Sequence, residues 1–130
     1  MKKLTKSQAM VLKNQAMGES LKVLCICSVG CLRSPTIANY LYTEYDCNVR
    51  SCGVDVENAL IPVSNRLVFW AKRLVFADMK TYLKFLDFGF DLVGKEIQIL
   101  DIPDEFDYDS PKLINEVSYM INTYQVTEVE

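Results

Sequence analysis

The sequence predicts an α/β fold with a mainly parallel sheet that helices cover on both faces. Along the 130-residue chain, short apolar runs typical of strands alternate with helix-like segments of about ten residues. This alternation is typical of parallel strands joined by right-handed crossovers. Folds of this class bind ligands at the carboxyl ends of their strands. Two segments rich in reactive side chains lie where predicted strands end, one starting at Cys27 and one at Asp101, which agrees with that rule.

Apolar periodicity and turn residues define most of the individual elements. We predict strands over residues 22–27, 46–52 and 96–100, and helices over residues 35–45, 79–88 and 110–124. Residues 63–77 hold two short apolar runs whose pattern alone fits either a helix or a strand. Ser34 is expected to cap the first helix through its hydroxyl, and Pro35 suits the first helical position, where no donor is needed. Gly53 is expected in the turn that closes the second strand.

The loop between the first strand and the first helix has the features of an anion-binding site. A helix N-terminus presents unpaired N–H groups, so a loop curled ahead of it binds phosphate or a similar oxyanion. Five residues separate Cys27 from Arg33, enough for the backbone to surround a tetrahedral anion while the guanidinium binds two of its oxygens. The same positive field favours a thiolate. We therefore expect Cys27 to be a nucleophile at neutral pH, with the Ser34 hydroxyl donating to its sulfur.

Composition argues against several classes of function. The 14 basic and 17 acidic residues give a net charge of −3, which argues against general nucleic-acid binding. The chain has no histidine, so catalytic Cys–His and Ser–His pairs and imidazole-based metal sites are excluded. A general acid must then be a carboxyl group or similar. We expect neither a cofactor nor a metal ion.

Cysteine usage and hydropathy predict a soluble cytoplasmic protein. The five cysteines lack the spacing of a secreted disulfide framework or of a paired zinc site; they are Cys25, Cys27, Cys31, Cys47 and Cys52. We find no signal peptide and no apolar run near the roughly 20 residues that span a bilayer, so no membrane partner is expected. The pattern predicts one domain over residues 21–130 after a helix-like extension over residues 1–20. It leaves the oligomeric state open.

One stretch of the sequence resembles a known phosphate-binding loop. The stretch is Cys27-Ser28-Val29-Gly30-Cys31-Leu32-Arg33-Ser34-Pro35. It is similar to the P-loop of the low-molecular-weight protein tyrosine phosphatases, a Cys-x5-Arg-Ser motif after the first strand that proline usually follows. The resemblance is to a compact bacterial and phage-type branch and covers residues 22 to about 124. It implies a three-layer α/β/α domain with a four-stranded parallel sheet of strand order 2-1-3-4.

The resemblance also implies the nature of residues 63–77 and of the segment that follows. The first apolar run would end a helix that starts near Val63, and the second would form a buried strand. Asp78 would then cap the next helix through its carboxylate.

The resemblance implies catalytic roles for three side chains. Cys27 would form a phosphocysteine intermediate, and Arg33 would bind the phosphate together with the backbone from Ser28 to Ser34. The family's general acid belongs to an Asp-Pro pair after the last strand. Aligning Asp101-Ile102-Pro103-Asp104 with that pair places the role on Asp104, with Asp101 as the alternative. Glu105 stands where the family has proline.

The resemblance further implies contacts around the loop. Phe106 falls where the family often has an aromatic wall for the substrate ring, and Asp55 lies in the region that lines the mouth of the site. Gly30 replaces the family's usual asparagine, and glycine permits the left-handed backbone of a tight turn. Cys31, four residues after Cys27, is a candidate resolving thiol under oxidation.

Two other functions remain open from the sequence. The first is an arsenate-reductase-like thiol enzyme, which shares this fold and loop but relays oxidation through cysteines further along the chain. No cysteine follows Cys52, which counts against it. The second is a phosphoprotein-binding module that keeps the anion pocket without turnover. The physiological substrate, whether phosphotyrosine or another phosphomonoester, is also left open.

Overall fold

The structure is a computed structural model that describes residues 20–30, 33–104 and 110–130. Strands and helices alternate in these ranges, which confirms the predicted α/β class. In chain order, the elements are β1 (Lys22–Cys27), α1 (Arg33–Tyr45), β2 (Asn48–Gly53), α2 (Asn65–Trp70), β3 (Arg73–Phe76), α3 (Met79–Leu86), β4 (Glu96–Ile99), α4 (Pro111–Thr123) and β5 (Val126–Glu128). The predicted N-terminal extension lies almost wholly outside the described residues.

The sheet has five strands in the order β2-β1-β3-β4-β5. The pairs β1–β2, β1–β3 and β3–β4 are parallel, whereas β5 pairs with β4 in antiparallel fashion. The first four strands thus have the predicted order 2-1-3-4, but the prediction of a four-stranded sheet is wrong. Strand β5 has three residues, of which only Val126 is buried, so it has too few apolar positions for a recognisable period.

Helices pack on both faces of the sheet and form two apolar cores. Neighbouring residues of a strand point to opposite faces, so β1 contributes Cys25 to one core and Leu24 to the other. The first core joins the sheet to α1 and α4 through Ile37, Leu41, Leu113, Val117 and Ile121. The second joins it to α2 and α3 through Val68 and Phe85. The resulting arrangement has three layers.

Several predicted element ends differ from those observed. Helix α1 already includes Arg33, so Ser34 lies inside its first turn and the predicted cap is wrong. Gly53 is the last residue of β2 and not a turn residue. Glycine is required there because a Cβ atom on Gly53 would lie 2.6 Å from the carbonyl oxygen of Ser28.

Two predicted helix starts agree with the structure. Asp78 caps α3, because its Oδ1 accepts a hydrogen bond of 2.8 Å from the Thr81 N–H. Ser110 caps α4 in the same way, with its Oγ 3.1 Å from the Leu113 nitrogen. None of the helices in the described residues is both long and apolar enough to cross a membrane.

A buried ion pair joins β3 and β4 at the start of each strand. Nε of Arg73 donates to Oε1 of Glu96 at 2.9 Å, and Nη2 lies 2.9 Å from the same oxygen. Both side chains are 2% exposed. The pair is at the edge of the sheet opposite to the carboxyl end of β1, so it stabilises the fold far from the loop that follows Cys27.

Candidate functional site

The Cys27 side chain lies at the carboxyl end of β1 within a small hydrogen-bond network. The N–H of Gly30 donates to Sγ of Cys27 at 3.1 Å. The thiol donates to Oγ of Ser34 at 3.1 Å, and the Ser34 hydroxyl donates to the carbonyl oxygen of Cys52 at 3.4 Å. Ser34 therefore contacts the sulfur, but it accepts from the thiol and does not donate to it as expected, because its own proton is directed to the Cys52 carbonyl oxygen.

Backbone contacts with the end of β2 fix the start of the loop. The N–H groups of Val54 and Asp55 donate to the carbonyl oxygens of Cys27 and Ser28 at 3.0 and 2.8 Å. Gly30 has a φ of 77°, a left-handed conformation that glycine adopts without strain. That turn directs the Gly30 N–H towards the sulfur.

The Arg33 side chain is buried and connects the loop to the ends of β3 and β4. Its Nη1 donates to Oδ2 of Asp78 at 2.7 Å and to the carbonyl oxygen of Ile102 at 2.9 Å. Its Nε lies 3.6 Å from Oδ1 of Asp104, whose side chain is 63% exposed. The guanidinium is thus fixed firmly by Asp78 and only loosely by Asp104.

Asp78 provides a negative charge beside this guanidinium at neutral pH. Burial alone would raise the pKa of Asp78, but hydrogen bonds from Thr81 and Arg33 outweigh burial and hold the pKa below its ordinary value. Asp78 is therefore ionised at neutral pH. Its two carboxylate oxygens have different partners: Oδ1 caps α3, and Oδ2 binds Arg33.

A cavity of about 230 Å³ opens beside Arg33 at this edge of the sheet. Its lining residues are Ser28, Arg33, Val54, Asp78, Lys80, Thr81, Lys84 and Asp104. Three of these side chains are basic and two are acidic. The cavity is therefore polar and carries one more positive than negative charge, which suits an anionic ligand.

The structure brings some of the predicted site residues together. Ser28, Arg33 and Asp104 line the cavity, whereas Cys27 is only 2% exposed and lies outside the lining. Asp101, the alternative to Asp104, does not line the cavity either. Asp104 is therefore the better placed of the two carboxylates.

Other predicted contacts are not at the cavity or cannot be placed. Asp55 lies outside the lining, and its Oδ2 accepts a hydrogen bond from Asn58 Nδ2 at 3.1 Å within the turn after β2. The structure therefore gives it a role in that turn. Cys31, Leu32 and Phe106 lie outside the described residues.

Three charged side chains that line the cavity are not predicted as site residues from the sequence. Asp78 is predicted only as a helix cap, and Lys80 and Lys84 are not singled out. The signal for all three is that α3 begins directly after β3, so its first turn lies at the carboxyl edge of the sheet. Their spacing of four residues places Lys80 and Lys84 on the same face of a helix.

The other described cysteines are buried thiols that stay protonated at neutral pH. Burial raises the pKa of Cys47 to about 11. Burial, with a further effect from the neighbouring Cys27, raises the pKa of Cys52 to about 12. Burial also raises the pKa of Cys25 well above its ordinary value. These three thiols therefore lack the thiolate character of a nucleophile.

Within the part of the chain that the structure describes, no group of three or more cysteine, aspartate or glutamate side chains is placed to hold a metal ion. The comparisons with protein-family models, curated proteins and solved structures gave no match to this chain.

Proposed function

We propose that this protein is a cysteine-dependent phosphatase that hydrolyses phosphotyrosine or related phosphomonoesters. One observation carries the proposal: Cys27 Sγ is hydrogen-bonded to the Gly30 N–H and to Ser34, beside a cavity lined by Arg33 and Asp104. A thiol, hydrogen-bond donors, a guanidinium and a carboxyl group are the parts that phosphoryl transfer through a covalent intermediate requires. The resemblance of residues 27–35 to the low-molecular-weight phosphatase loop supports the same roles.

The first step forms the phosphocysteine. The Cys27 thiolate attacks phosphorus, and the bond between phosphorus and the leaving oxygen breaks. Asp104, entering as the carboxylic acid, gives its proton to that oxygen. The Ser34 hydroxyl, now a donor to Cys52, would rotate by one torsion and donate to the thiolate instead.

The second step hydrolyses the intermediate. Asp104, now a carboxylate, takes a proton from water while the water oxygen attacks phosphorus. The bond between sulfur and phosphorus breaks, which releases inorganic phosphate and restores the Cys27 thiolate. Charge on the three equatorial oxygens is stabilised by Arg33 and by backbone N–H groups of the loop.

The contacts of Arg33 suit this sequence of steps. The short contact with Asp78 holds the guanidinium in place, while the 3.6 Å contact with Asp104 is weak enough for a phosphate oxygen to replace it. Asp104 is then released towards the leaving group, and its high exposure leaves it room to move. Because the reaction requires a reduced thiol, we place the protein in the cytoplasm.

Hydrolysis of para-nitrophenyl phosphate by four proteins tests the proposal. The wild type should turn over the substrate, Cys27→Ser should have no activity, and Asp104→Asn should lose about 100-fold or more in kcat. Asp101→Asn is the matched control, because this exposed carboxylate three residues earlier lies outside the cavity lining. Vanadate should inhibit the wild type competitively.

The same proteins distinguish the other functions. A wild type that binds vanadate without turnover would identify a phosphoprotein-binding module. Reduction of arsenate at the expense of a thiol, without phosphatase activity, would identify an arsenate-reductase-like enzyme. Loss of activity in Asp101→Asn and not in Asp104→Asn would identify Asp101, and not Asp104, as the general acid.

A further inference from the structure

Two lysines of α3 extend the positive charge of the cavity away from Arg33. Asp78, the cap of α3, contacts the Arg33 guanidinium directly, so the first turn of the helix begins beside the proposed phosphate site. Lys80 is in that turn. Lys84 lies about 6 Å further along the helix axis on the same face, because each residue adds about 1.5 Å. Both lysines line the cavity.

The two carboxylates that line the cavity pair with other groups and not with these lysines. Asp78 forms an ion pair with Arg33 and accepts a hydrogen bond from the Thr81 N–H. Asp104 contacts the Arg33 guanidinium. Among the described residues, neither lysine ammonium group takes part in a hydrogen bond or an ion pair. No described side chain therefore neutralises their charge by direct contact, which leaves that charge facing the cavity.

We propose that Lys80 and Lys84 recognise a second negative charge on the leaving group of the substrate. The inference rests on the proposed phosphatase function and adds to it a substrate class: phosphomonoesters that carry a carboxylate a few ångströms beyond the phosphate. Arg33 and the loop would hold the phosphate, and the lysines would hold the carboxylate. Both charges of such a substrate would then face a cation.

Two substrates that differ by one charge test this proposal. The probes are para-carboxymethylphenyl phosphate and its neutral carboxamide, para-carbamoylmethylphenyl phosphate, which have nearly the same size and leaving group. The measured quantity is the ratio of kcat/KM for the carboxylate to kcat/KM for the carboxamide. The wild-type ratio should be about two to five at low ionic strength, the range expected for exposed ion pairs, and it should fall towards one with added salt.

Charge-removing variants identify the residues responsible. The variants Lys80→Gln and Lys84→Gln should each lower the ratio, and the double variant should bring it to one or below. The matched control is Lys22→Gln, since Lys22 is an exposed lysine at the start of β1, at the opposite edge of the sheet. Its ratio should equal that of the wild type.

Binding measurements separate this proposal from the phosphatase function. The corresponding pair of non-hydrolysable phosphonates, measured by calorimetry, should show the same preference and the same loss in the lysine variants. If the phosphonates show it and no phosphate ester is hydrolysed, the phosphatase function fails and the lysine site stands. An equal affinity for both phosphonates in the wild type would overturn the lysine site. A lower melting temperature in the variants with an unchanged ratio would also overturn it, because the lysines would then pair with the chain's own carboxylates.

Discussion

Nη1 of Arg33 lies 2.7 Å from Oδ2 of Asp78, so the guanidinium of the candidate site is fixed by the cap of a helix 45 residues away. The same aspartate accepts from the Thr81 N–H and thereby sets the start of α3. The position of Arg33 and the start of α3 thus depend on one carboxylate. Replacing it tests both at once.

Two substitutions of Asp78 separate the ion pair from the helix cap. Asparagine still caps a helix but carries no charge, so Asp78→Asn should leave α3 intact and leave Arg33 without its firm partner. We expect kcat/KM for para-nitrophenyl phosphate to fall up to about 100-fold, the cost of a misplaced catalytic group. Asp78→Ala should in addition lose about 1 kcal/mol of unfolding free energy from the missing cap. Wild-type kcat/KM in Asp78→Asn would show that Asp78 does not position Arg33.

The part of this site that the sequence predicts is the part with local signals. Cys27 is the last residue of an apolar strand. Asp78 stands three residues before Thr81, whose N–H group it caps. The ion pair between Arg33 and Asp78 has no local signal, because it forms only when parallel strands bring their ends together. Ser34 is not a cap because the helix already includes Arg33, and its hydroxyl contacts Cys27 and the Cys52 carbonyl oxygen instead.

In the sheet, too, the strands with a local sequence signal are predicted, and the strand that depends on long-range pairing is not. Four strands are recognised from apolar runs or from the family resemblance, and their observed order is the predicted one. Strand β5 is missed because its position depends on pairing with β4. Gln98 is buried there, and its Nε2 donates to the carbonyl oxygens of Ile121 and Tyr124 at the end of α4. A polar residue in this position is explained only by tertiary contacts.

The lowered pKa of Asp78 predicts a loss of stability in acid. A carboxylate whose pKa is lower in the folded than in the unfolded chain stabilises the fold fully above its unfolded pKa, here about 3.8. The contribution is lost as the pH falls through the still lower folded pKa. Urea unfolding of wild type and Asp78→Asn between pH 7 and pH 2 should therefore give a free-energy difference that is constant above about pH 5 and shrinks below about pH 4. A difference that stays constant to pH 2 would contradict the lowered pKa.

The buried pair of Arg73 and Glu96 predicts a large effect on stability without a direct effect on the site. Glu96→Ala leaves a buried guanidinium without its counter-charge, which should cost about 3–5 kcal/mol of unfolding free energy. The matched control is Glu128→Ala, because Glu128 makes an exposed 4.0 Å contact with Lys72, and pairs of that kind contribute about 0–1 kcal/mol. Denaturant unfolding measures both. Similar losses in the two variants would show that Arg73 finds another partner or reaches water.

Gly30 should be essential for the site through its backbone, and Gly89 provides the matched control. Both have a left-handed φ, 77° at Gly30 and 71° at Gly89, so alanine should cost each about 1–2 kcal/mol of unfolding free energy. Only at Gly30 would the new Cβ meet neighbours, at 3.1 Å from the Cys52 carbonyl carbon and the Gly53 nitrogen, whereas Gly89 has nothing within 4 Å. That contact would move the N–H that binds Cys27. We expect Gly30→Ala to lose at least about tenfold in kcat, as for removal of a donor from a preorganised site. Gly89→Ala should keep wild-type kcat, and an equal loss in both would assign the effect to stability alone.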